Sequence, residues 1–172
     1  MTLKKADLLL ALAFAPLLPC TEGRSQNSEK SPFCTSLNSI ISAAAGNFRP
    51  IQGAPDPYSD GGEYISLILL PGAEECSVEV KYGASVACSY PESTSVSDLE
   101  VGYAGIVGNL GGCLQNWSRK TLNGPDEIRK GFIKSTEFNR SQVTVRVEIL
   151  AKASKLHPGY TLEVWIDKET GE

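Results

Sequence analysis

The chain has 172 residues, 41% of them hydrophobic and 21% charged, with a formal net charge of −4. That length suits one domain around a single core, and the composition excludes both a disordered tail and a membrane bundle. The mild acidity, with no arginine-rich run interleaved with aromatics, argues against a nucleic-acid partner.

In chain order, Lys4 and Lys5 precede the apolar run "LLLALAFAPLL" (Leu8 to Leu18), which is too short to span a bilayer. This is the layout of a secretory signal peptide, expected over residues 1–25 with cleavage after Ser25 in "GRSQ". "LLPC" offers a lipid anchor at Cys20 as the runner-up, disfavoured because Pro19 stands where such sites carry a small residue. Residues 26–172 then form one exported domain, periplasmic or secreted, without a membrane span.

A polar lead-in, "SQNSEKS", is followed by a helix with Ser31 as N-cap, Pro32 at its first position and Gly46 at its end. Phe33, Leu37, Ile40, Ile41 and Ala44 give it one apolar face. "RPIQGAPDPYSDGGE" reads as a solvated loop, and its acids lack the alternation of a calcium loop. "EYISLILL" reads as a strand closed by Pro71 and Gly72. "CSVEVKY" and "SVACSY" follow, placing Cys76, Val78, Val80 and Tyr82 of one strand, and Val86, Cys88 and Tyr90 of the next, on one face of a hairpin that turns about Tyr82 and Gly83.

A second helix opens on a capping box of Ser97 and Glu100. Leu99, Tyr103, Ile106, Leu110, Cys113 and Trp117 make its buried stripe over about five turns. Gly102, Gly105, Gly108 and Gly111 are unusual there, and close packing on a neighbouring element accounts for them. "RKTLNGPDEIRKG" reads as a charged loop. "QVTVRVEIL" and "YTLEVWID" are the closing strands. The expected fold is α+β, an antiparallel sheet of about five strands with two helices packed on one face, in the order α-β-β-β-α-β-β. Two helix-then-strands halves also fit an ancient duplication.

With Cys20 removed or lipidated, Cys34, Cys76, Cys88 and Cys113 remain, an even set that in an exported chain predicts disulfides. Zinc would want close cysteine pairs or nearby histidines, and the one histidine, His157, sits in the turn-like "KLHPGY". Three connectivities are open. Strand parity favours Cys76–Cys88 with Cys34–Cys113; Cys34–Cys76 with Cys88–Cys113 fits the helix stripe nearly as well. No metal and no cofactor is expected.

Catalytic motifs are missing: no G-x-S-x-G elbow, H-E-x-x-H site or phosphate loop occurs. Residues 26–118 hold 3 basic and 10 acidic groups, whereas residues 119–172 hold 10 and 8. Such polarity suits steering of a protein partner. In the last strand Tyr160, Leu162, Val164 and Ile166 point inward, so Trp165 points outward with Thr161, Glu163 and Asp167. Thr144, Arg146 and Glu148 share that outer face. Trp165, Arg146 and Glu163 are therefore the candidate binding residues, Trp and Arg being enriched at binding hot spots. The expected function is a non-catalytic protein-binding module of the cell envelope, an inhibitor, immunity-type or adaptor protein. The alternatives are a binder of a small apolar ligand between sheet and glycine-bearing helix, and a carboxylate-based hydrolase.

Overall fold

In the computed structural model, which describes residues 31–81, 83–124, 131–152 and 159–169, the first helix begins where its punctuation places it. Helix α1 spans Pro32–Ala43, and the Ser31 hydroxyl accepts the Cys34 backbone N–H at 3.1 Å. Its end differs. A short 3-10 turn, Ala44–Gly46, follows, and Asn47 rather than Gly46 takes the left-handed conformation at φ 53°. Phe48 continues at φ 58° with its side chain fully buried, so core packing holds a backbone that a bulky residue seldom adopts.

Strands β1 (Gln52–Pro55), β2 (Glu63–Ser66), β3 (Glu75–Glu79) and β4 (Ala84–Ser89) come next. Helix α2 (Val96–Cys113) precedes β5 (Ser118–Asn123), β6 (Phe132–Arg140), β7 (Val143–Ala151) and β8 (Tyr160–Lys168). All pairings are antiparallel, in one eight-stranded sheet ordered β1-β2-β3-β4-β8-β7-β6-β5. This corrects the expected fold. Among the described residues the sheet has eight strands, not about five, and the element order is α-β-β-β-β-α-β-β-β-β. Each half is one helix followed by a four-strand meander, and the halves meet where β4 pairs β8.

The missed strands lack a plain apolar alternation, for two different reasons. β1 lies at one edge of the sheet and contains Gly53 and Pro55, which an edge tolerates because one side of its backbone needs no partner. β5 lies at the other edge, where every residue except Leu122 is exposed, so it shows no apolar alternation. In β6 the buried positions include Ser135 and Thr136, which look like surface residues in sequence. Thr136 Oγ1 lies 2.6 Å from the Tyr103 hydroxyl and 3.0 Å from Thr121 Oγ1, so its burial is satisfied. "EYISLILL" is not one strand. The Ser66 hydroxyl donates to the Ile68 carbonyl and accepts the Ile68 N–H, bending the chain after β2.

The core lies between the helices and one sheet face. Leu37 and Ile40 from α1 and Tyr103, Ile106 and Leu110 from α2 join Val78, Val86, Val145, Val147, Val164 and Ile166 in it. Helix α2 starts earlier than its capping box implies, with Ser95 at the N-cap position, and it ends at Cys113, leaving Trp117 beyond it. Close packing accounts for Gly102 alone, where a Cβ would come within 3.2 Å of Leu162 Cδ2. A Cβ on Gly105, Gly108 or Gly111 would meet nothing within 4 Å.

Two disulfides join Cys34 to Cys113, tying α1 to α2, and Cys76 to Cys88, directly opposite each other on β3 and β4. They suit an oxidising, extracytoplasmic setting. Among the described residues no helix is long and apolar enough to cross a membrane. The leader expected over 1–25, Cys20, Tyr82 and His157 lie outside the described residues.

Candidate functional site on the outer face of the sheet

Alternation builds the site. Along β7, Val145, Val147 and Ile149 fill the core, which sends Arg146 and Glu148 to the opposite face. Along β8, Leu162, Val164 and Ile166 are buried, and Thr161, Glu163, Trp165 and Asp167 point the other way. Register then brings the predicted residues together. Arg146 is paired with Trp165, Glu148 with Glu163 and Thr144 with Asp167.

The contacts within this group are specific. Arg146 Nη2 lies 2.8 Å from Asp167 Oδ2, and Nη1 lies 4.0 Å from Glu148 Oε1. Its guanidinium carbon sits 5.9 Å from the Trp165 ring centroid, at the reach of a cation–π contact. Trp165 Nε1 donates to Glu163 Oε2 at 2.9 Å. Burial raises the Glu163 carboxyl above its ordinary range, the Glu148 charge opposite pushes the same way, and the hydrogen bonds from Trp165 and Thr161 work against both.

Trp165 is half-buried, with Ala87 of β4 on one side and Arg146 of β7 on the other. Residues 119–123 and 132–140 lie in β5 and β6, beyond β7 in the sheet. Arg146 is less free than its outward position implies, its side chain being 20% exposed and held by Asp167.

Sequence reasoning missed the other end of this face. Ile65 is 52% exposed and pairs with Ser77, which pairs with Ala87, which pairs with Trp165. Ala87 was legible, since Val86 and Cys88 point inward; Ile65 was hidden inside "EYISLILL", read as a single strand. Leu67 and Leu69 beyond it are also exposed.

Between the sheet and the glycine-bearing helix, Tyr90, Tyr103 and Ile106 are 7%, 4% and 6% exposed, within the core. A cavity of about 510 Å³ opens instead at the end of α2, where Asn38, Gln115, Asn116 and Arg140 surround Trp117 with polar groups. Comparison with protein-family models, curated proteins and solved structures finds no match for this chain.

Proposed function

We propose that this protein is an exported, non-catalytic protein-binding module of the cell envelope, acting as an inhibitor, immunity-type or adaptor protein through the outer face of its sheet. The observation that supports this reading is the single row joining Ile65, Ser77, Ala87 and Trp165 across four strands, flanked by Arg146. A half-buried indole beside a guanidinium, with small residues next to it and an exposed aliphatic at the far end of the row, is the chemistry of a binding anchor. Disulfide bracing keeps such a face in shape before it meets a partner, lowering the ordering cost of association.

One observation favours the hydrolase alternative: Glu148 and Glu163 stand opposite each other and the Glu163 carboxyl is raised. Both carboxylates are already engaged by neighbours on the same face, Glu163 by Trp165 and Glu148 by Arg146, so a binding surface fits them better than a catalytic pair.

The test is affinity capture from envelope extract with the mature domain, its Ala87→Arg variant and its Trp165→Ala variant. The reading expects a protein retained by the parent and lost from Ala87→Arg, whose long side chain stands in the row without touching the core. Identical retained proteins on parent and variant would remove this face from consideration.

A further inference from the structure

The outer face carries three parallel rows of side chains, and their order points to the partner's chemistry. The middle row, from Ile65 through Ser77 and Ala87 to Trp165, is apolar or small throughout. It spans three strand spacings, about 14 Å. On one side, two residues along each strand, lie Glu75, Ser89 and Glu163. On the other side lie Glu63, Glu79, Ser85 and Asp167. Each flanking row is about 7 Å from the middle one. Acidic groups therefore bracket the apolar row on both sides.

Among the described residues, Arg146 is the one cation at an outer-face position of β2, β3, β4, β7 and β8, and it is committed to Asp167. Six carboxylates at outer-face positions of these strands, Glu63, Glu75, Glu79, Glu148, Glu163 and Asp167, thus stand with one guanidinium. Ser77, Ser85, Ala87 and Ser89 form a low floor between Ile65 and Trp165, because none has a side chain longer than one heavy atom beyond Cβ.

We propose that this face receives a cationic amphipathic polypeptide segment, which lies across the strands along the middle row. Its apolar side chains rest on Ile65, Ala87 and Trp165, and its lysines or arginines reach the carboxylates on either side. The proposal rests on the protein-binding reading above and names the partner's chemistry. A helix, about 10–12 Å across, matches both the floor and the separation of the acidic rows. Other occupants are disfavoured by charge. Anionic lipid and nucleic acid would be repelled, and a second copy placed face to face would bring carboxylates against carboxylates.

The experiment uses the mature domain with Trp117→Phe, so that Trp165 alone reports by fluorescence. The probes are a helical Leu/Lys amphipathic peptide and its Leu/Glu counterpart. The Leu/Lys peptide is expected to bind and shift the Trp165 emission, and the Leu/Glu peptide to give no change. Combining Glu63→Gln, Glu75→Gln and Glu79→Gln should weaken the Leu/Lys peptide at least tenfold. Neutralising Glu92, Asp98 and Glu100 instead should leave its affinity within twofold. Equal binding of both peptides, or equal loss from both triple variants, overturns the proposal. So does failure of the Leu/Lys peptide to bind. If that failure comes while Ala87→Arg still abolishes capture from envelope extract, the face binds a protein of different chemistry and only the cationic assignment falls. Where Ala87→Arg leaves capture intact as well, both readings fall.

Discussion

Arg146 and Trp165 stand directly opposite each other on β7 and β8, the guanidinium carbon 5.9 Å from the indole centroid. The same guanidinium holds Asp167 at 2.8 Å, so one side chain both supports the indole and neutralises a half-buried acid. Arg146→Ala should therefore cost about 2 kcal/mol, because it removes the guanidinium that pairs with Asp167 and stands 4.0 Å from the buried Glu148. Arg146→Lys should recover only part of this, since a point charge cannot serve both acids and stack on the ring. Chemical denaturation of the three proteins is the check. Trp165→Ala, which removes no charge partner of Asp167, should destabilise less than Arg146→Ala.

Glu163 gives the stability a pH dependence of definite sign. Its carboxyl is raised above the ordinary value of 4.5 in the folded state, so folding favours the protonated form. The folded protein then holds more protons than the unfolded one between 4.5 and the raised value, and stability falls as pH climbs through that window. Glu163→Gln should be more stable than the parent at pH 7. Its advantage should disappear below pH 4.5, where both states of the parent are protonated. Denaturation midpoints measured across that range read the difference directly.

The solvent-facing glycines of α2 are a removable weakness. A Cβ at Gly105 or Gly108 meets nothing within 4 Å, so alanine at either position should add about 1 kcal/mol by restricting the unfolded backbone. Gly102→Ala should not, because its Cβ would press on Leu162 Cδ2 at 3.2 Å. Thermal melts of the three single variants would separate the cases.

Ser141 turns the β6–β7 hairpin at φ 55°, between the paired Arg140 and Val143. A two-residue turn with a positive first φ is built for glycine. Ser141→Gly should stabilise by about 0.5–1 kcal/mol, the relief of the left-handed strain less the entropy glycine loses. A denaturant midpoint unchanged or lowered would contradict this.

The two disulfides should differ in weight. Cys34–Cys113 closes a separation of 79 residues and Cys76–Cys88 one of 12. On loop entropy alone, removing the first by paired Cys→Ala substitution should cost about 4.5 kcal/mol and the second about 3 kcal/mol. Urea titrations of the two double variants provide the comparison.

Much of this molecule is written locally. Ser31 and Pro32 start α1, the alternation of β7 and β8 separates Arg146 and Trp165 from the core, and the symmetry of Cys76 and Cys88 about position 82 matches the register of β3 and β4. These features rest on capping, parity and hairpin geometry, which act over a few residues and leave a mark in the sequence. The edge strands β1 and β5 left no such mark, because a strand with nothing buried beneath it has no apolar alternation to display. The pairing of β4 with β8 joins residues 84 and 168 across the whole second half of the chain. That long-range pairing alone sets Ala87 beside Trp165 and brings Ile65, Glu63, Glu75 and Glu79 onto the face that carries Arg146. The outward positions of Arg146, Glu163 and Trp165 were legible residue by residue. Its extent was decided by strand order, which depends on contacts that no local pattern encodes.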